Sequence, residues 1–231
     1  MRKTYMLLLV CIPLLSSCFE LREELYLHKE GWGNYKLLAD FSKDREMLEA
    51  LFTKTDTSKH NPFGEVGESF EELATVWGLG ADKLNQINGI SKAKKIVDKK
   101  RFIIGIQFEF QDISALNLAL TLKDGGEFNP NFELPFNYHK GKLMKNNVFI
   151  FQKLLKYLDT SNETDERFNN EKKAIFAQIS CKTIINTSGK IKKCSNYQYE
   201  QGRNEREVVA NFYLRDIWNG AVDISTLIKF K

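Results

Sequence analysis

The stretch RFIIGIQFEFQDISALNLALTL, residues 101–122, changes its hydrophobic period halfway along. Phe102, Ile104, Ile106, Phe108 and Phe110 recur every second residue, which puts them on one face of a strand. From Ile113 onward, Ile113, Leu116 and Leu120 repeat at helical spacing, and Asp112 stands where its carboxylate can cap the first turn. Upstream, Lys94–Asp98 (KKIVD) reads as a partner strand, with Lys99-Lys100 as the turn between them. A hairpin that runs directly into a helix argues for antiparallel pairing rather than βαβ alternation.

Working outward, the same logic recurs. Glu24–Lys29 and Tyr35–Phe41 are extended runs around Glu30-Gly31-Trp32-Gly33-Asn34, where two glycines and an asparagine supply the positive φ of a hairpin loop. Residues 132–152 predict strands around His139-Lys140-Gly141. Arg206–Leu214 and Val222–Lys231 predict further strands, with one helical turn over Leu214–Trp218. Asp44–Phe52, Phe70–Trp77 and Ala81–Ile87 read as helices, with Ser42 available as a cap. Thr53–Gly67 reads as a loop and 153–170 as a polar helix or loop. No repeat of 20–50 residues is present. The order predicts one α+β domain over residues 23–231, an antiparallel sheet built from hairpins with helices packed on one face.

Between Cys181 and Cys194 the chain carries Asn186-Thr187-Ser188-Gly189 at its midpoint. A hairpin turning on Thr187-Ser188 would set the two cysteines opposite each other, within reach of a disulfide. The alternatives are two free buried thiols, or a one-residue shift of register that faces them apart.

The residues offer little chemistry. The histidines are His28, His60 and His139, and none has the spacing of a metal site. Glu23-Glu24 and Glu71-Glu72 are adjacent pairs whose side chains diverge, and they read as solvated faces. Leu84–Ser91 has the outline of a DNA-binding glycine turn but lacks its second glycine, and Gly78-Leu79-Gly80 lacks the rest of a dinucleotide fingerprint; both read as helix stops. No catalytic residue, metal or dissociable cofactor is expected. Trp32, on its glycine-flanked loop, is the candidate contact for a partner or for the membrane surface, with folding back onto the sheet as the alternative. Trp77 and Trp218 read as core.

The first residues form an address. Arg2 and Lys3 precede an apolar run, Met6–Leu15, which is shorter than the roughly 20 residues that span a bilayer. Leu15-Ser16-Ser17-Cys18 then resembles a lipobox. That resemblance implies a signal peptide over residues 1–17 and lipidation of Cys18 by a diacylglycerol and an N-linked acyl chain such as palmitate. A lipidated tether would follow over residues 18–22. The chain has 34 basic and 30 acidic residues, and Arg2 and Lys3 would leave with the signal, so the remainder nearly balances. Bulk charge therefore points to neither nucleic acid nor a polybasic membrane patch.

Three segments together resemble a group of lipoproteins common in Bacteroidota: the hairpin Glu23–Ser42, Gly89-Ile90-Ser91 with the strand and Asp112–Asn117 after it, and the terminal Leu227-Ile228-Lys229-Phe230. A weaker resemblance is to the sheet-and-helix domain of mycobacterial LppM-type lipoproteins, which implies a ligand-binding role. Both imply a location in the cell envelope, anchored by lipid to the outer membrane on either face. The expected function is a non-catalytic binding or structural protein whose partner is an envelope protein or an apolar ligand. The alternative is a lipid- or glycan-binding protein with a cleft between sheet and helices, and an enzyme comes third.

Overall fold

A computed structural model describes residues 20–44, 81–121, 134–146 and 177–231. The signal peptide expected over residues 1–17, Cys18, all but Asp44 of the helix expected over Asp44–Phe52, the helix expected over Phe70–Trp77, His60 and the polar stretch 153–170 lie outside the described residues.

The described chain forms a mixed seven-stranded sheet and an antiparallel four-stranded sheet, with few helices. The architecture is α+β. The first hairpin pairs β1 (Glu20–Leu27) with β2 (Gly33–Asp40). Strand β1 begins inside the stretch read as tether, because Leu21 joins Leu25 and Leu27 on the buried face and holds the chain in the sheet from its first turn of the pleat. After α1 (Ala81–Leu84), β3 (Ile90–Asp98) and β4 (Ile103–Phe110) form the expected hairpin, and β4 also pairs with β2. The alternation in β4 is realised, with Ile104, Ile106, Phe108 and Phe110 all buried. Helix α2 (Ile113–Thr121) follows at once, its first turn capped by Asp112, whose Oδ1 accepts from the Ala115 amide at 2.8 Å.

The small sheet begins with β5 (Phe136–His139) and β6 (Lys142–Lys145), joined by Lys140-Gly141. Both turn residues have positive φ, 45° and 76°, as a two-residue hairpin connection requires. Asn117 of α2 holds β5 as a strand would. Its Nδ2 donates to the Phe136 carbonyl at 2.7 Å and its Oδ1 accepts from the Phe136 amide at 3.0 Å.

The segment from Cys181 to Cys194 departs from expectation. β7 (Ser180–Thr187) runs parallel to β1 and antiparallel to β10 (Glu207–Tyr213), so both its edges are occupied. The strand after it, β8 (Ile191–Cys194), has no edge of β7 to pair with. It crosses to the small sheet and joins β11 (Thr226–Phe230). The disulfide expected between Cys181 and Cys194 is not formed; both thiols are free. Cys181 is buried between Leu21 and Phe212 in the cross-strand register, and the Cys194 Sγ lies 3.1 Å from Thr226 Oγ1. A short β9 (Tyr199–Gln201), invisible to periodicity, pairs with β10, and α3 (Leu214–Trp218) makes the turn before β11.

The inner faces of the two sheets share one core with α1 and α2. Leu25, Leu27, Ile104, Phe108 and Ile185 come from the large sheet, and Phe136, Leu143, Ile228 and Phe230 from the small one. No helix among the described residues is long and apolar enough to cross a membrane.

Candidate functional site

Alternation in β1 brings Tyr26 and His28 to the outer side of the large sheet, at its hairpin end. In the register, Tyr26 stands opposite Asn34 on one side and Asn186 on the other. This row forms the floor of an open depression of about 430 Å³ that Thr187, Ser188, Asn204 and Arg206 close. Its lining contains amides, hydroxyls and one guanidinium, and no carboxylate. The side chains of Asn34, Asn186 and Arg206 make no hydrogen bond within the described residues, so their donors and acceptors are available to a ligand.

Trp32 rides on the loop beside it and is 43% exposed. Its ring stacks on His28 with centroids 4.3 Å apart and planes 15° apart, and it lies 6.2 Å from the Tyr26 ring. The loop is held from both sides. His28 donates its amide to the Trp32 carbonyl at 2.8 Å, and the Gly31 amide donates to the His28 carbonyl at 2.9 Å. The Lys29 amide donates to Ser188 Oγ at 2.9 Å, while Tyr138 Oη donates to the Lys29 carbonyl at 2.6 Å. A large aromatic surface is thus presented in one orientation, which lowers the entropy lost when a partner binds. Trp32 was singled out by its sequence; the Asn34–Tyr26–Asn186 row was not, because its members come from three strands.

Between the sheets lies a second cluster. Glu23, read as solvated, is buried; only Glu24 faces outward, where it meets Lys36 Nζ at 3.0 Å. Period two puts Glu23 in line with Leu21, Leu25 and Leu27, so the pleat carries it inward. There its Oε2 lies 3.2 Å from Lys145 Nζ and accepts from Thr183 Oγ1 at 3.1 Å, while Oε1 accepts from Tyr35 Oη at 3.2 Å. Burial, and then the Glu23 charge, push the Tyr35 phenol well above its ordinary range. The same two causes, in the same order, raise Tyr199, whose hydroxyl donates to the Ile224 carbonyl at 3.0 Å. Burial also raises the Cys181 thiol far above its ordinary value, with the charges of Glu20 and Glu23 adding to it, so Cys181 stays protonated. This cluster satisfies every charge it buries and joins the two sheets.

His139 lies at the tip of β5, and no group of three or more His, Cys, Asp or Glu among the described residues is arranged to hold a metal ion. The side chain of Trp218 lies outside the described residues, as does Trp77.

No protein-family model matches the chain. No curated protein matches it either. Among solved structures, the folded domain of LppM from Mycobacterium tuberculosis, determined by NMR, is similar with a TM-score of 0.38 at 7% identity, over 94% of this chain and 91% of that one.

Proposed function

We propose that the chain is a lipid-anchored protein of the cell envelope that binds a partner at the hairpin end of its large sheet and performs no chemistry on it. The anchor is Cys18, at the end of the lipobox-like Leu15-Ser16-Ser17-Cys18, and the membrane is the outer membrane. The observation that carries the binding role is Trp32. It is exposed, stacked on His28 and fixed by main-chain hydrogen bonds beside an open polar depression. A core aromatic would be covered, and a passive loop residue would not be clamped.

The anchor is tested by metabolic labelling with a palmitate analogue, which should mark the wild type and leave Cys18→Ala unmarked. The binding role is tested by placing a photo-crosslinking amino acid at position 32 in cells. A discrete adduct, lost when Asn186 and Arg206 are both changed to Ala, is the expected result; no adduct would remove the reading. The polar lining also favours a second reading, in which the partner is a glycan. Amide and hydroxyl donors beside a flat ring suit sugar hydroxyls and C–H faces better than acyl chains.

A further inference from the structure

The outer face of the small sheet carries a row of cations that bulk composition conceals. In the cross-strand register, Lys229 on the central strand β11 stands opposite Lys142 on β6 and opposite Lys193 on β8. Lys142 in turn stands opposite His139 on β5. Directly opposed residues point to the same side of an antiparallel sheet, and the inward neighbours Leu143, Ile228 and Phe230 are buried. Three lysines thus lie side by side at about 5 Å intervals, the spacing of neighbouring strands. Lys140, Lys192 and Lys231 flank them. The neighbouring Lys231 side chain, then desolvation and the charges of Lys231 and Lys190, hold Lys192 below the usual lysine range.

Among the described residues, the carboxylate paired to this group is Glu205, on Lys190. Lys142, Lys193 and Lys229 have no ion pair there. Like charges directly opposed destabilise a sheet, so folding does not account for the row. Protection of a sheet edge accounts for a lysine on β8 but not for Lys229 on an inner strand. In the next row on the same face Met144, 41% exposed, stands opposite Leu227, with Asn137 of β5 and Ser195 at its two ends. Cations beside an exposed apolar pair suit a bilayer surface, where the ammonium groups meet anionic headgroups and Met144 and Leu227 meet the interface.

We infer that the outer face of the four-stranded sheet docks on an anionic membrane surface through Lys142, Lys229 and Lys193. The inference rests on the envelope reading only for the presence of a membrane.

The test uses the mature chain with Cys18→Ser, so that no acyl chain contributes. Co-sedimentation is measured with vesicles of phosphatidylcholine alone and with vesicles of phosphatidylcholine and phosphatidylglycerol in equal parts. Binding is expected to the anionic vesicles only and to weaken as salt is added. K142Q/K193Q/K229Q should lower it on the order of 100-fold, given about 1 kcal/mol for each lysine near the surface. The single variant K193Q should lower it about 5-fold on the same basis. K83Q/K94Q/K95Q, which removes the same charge elsewhere, should leave most of the binding. Equal binding to both vesicles, equal loss in the two triple variants, or row-dependent binding to an acidic polysaccharide or oligonucleotide without vesicle binding would each overturn the inference. Cys18 labelling is read independently, so either reading can fail alone.

Discussion

Glu23 and Glu24 are neighbours in sequence, and each sits about 3 Å from a lysine, yet they occupy different solvents. Glu24 meets Lys36 at 3.0 Å on the outer face, where both side chains are about a third exposed. Glu23 meets Lys145 at 3.2 Å between the sheets, where both are about 5% exposed. Distance does not separate them; burial does. Water screens the outer pair, and its contribution is small. The inner pair has given up its hydration, so each charge depends on the other, and on Tyr35 and Thr183, for compensation.

The largest test breaks the inner pair from one side. Lys145→Met should destabilise the domain by about 3–5 kcal/mol, because Glu23 is left buried without a counter-charge. Adding Glu23→Leu should recover most of that loss in urea unfolding. Failure of the double variant to recover would show that the pair also sets the register of the two sheets. Asn117→Ala should cost about 2 kcal/mol, since it strips both hydrogen bonds from the buried main chain of Phe136.

The inner cluster also has a pH signature. Tyr35 and Tyr199 ionise in the unfolded chain near the ordinary phenol value of 10.0 but stay neutral in the fold. Their contribution is complete below that pH, and it is lost as pH rises above it, because only the unfolded state then gives up the proton. Unfolding midpoints should fall steeply above pH 10, and Tyr35→Phe should flatten the fall. Capping at the surface end of α2 is worth less, and Asp112→Ala should cost about 1 kcal/mol. Smallest of all, Lys36→Ala should change stability by about 0.5 kcal/mol or less. A larger loss would mean that the outer face is drier than its exposure indicates.

The hairpins and α2 were legible because their signals are local. A period of two in β4, a capping aspartate before α2, and Gly141 at a tight turn act within a few residues. The midpoint symmetry of Cys181 and Cys194 was an equally local signal, and it failed. A turn at Thr187-Ser188 is possible, but β1 and β10 had already taken both edges of β7, and no local pattern encodes that competition. Parallel pairing of β1 with β7 has no connecting turn to announce it. Glu23 was half legible, since Leu21, Leu25 and Leu27 show which face it shares. Lys145, likewise, sits two residues from the buried Leu143 and one from the exposed Met144.

By itself, then, the sequence determined the α+β class, the alternating strands, the capped helix, Trp32 on its loop and the lipobox-like Cys18, all carried by neighbours in the chain. Tertiary structure alone decided which carboxylate is buried, which cysteines stay apart, and that lysines from three distant segments share one face. Those outcomes depend on register between strands far apart in sequence, where competition for sheet edges and burial of apolar area outweigh any local preference.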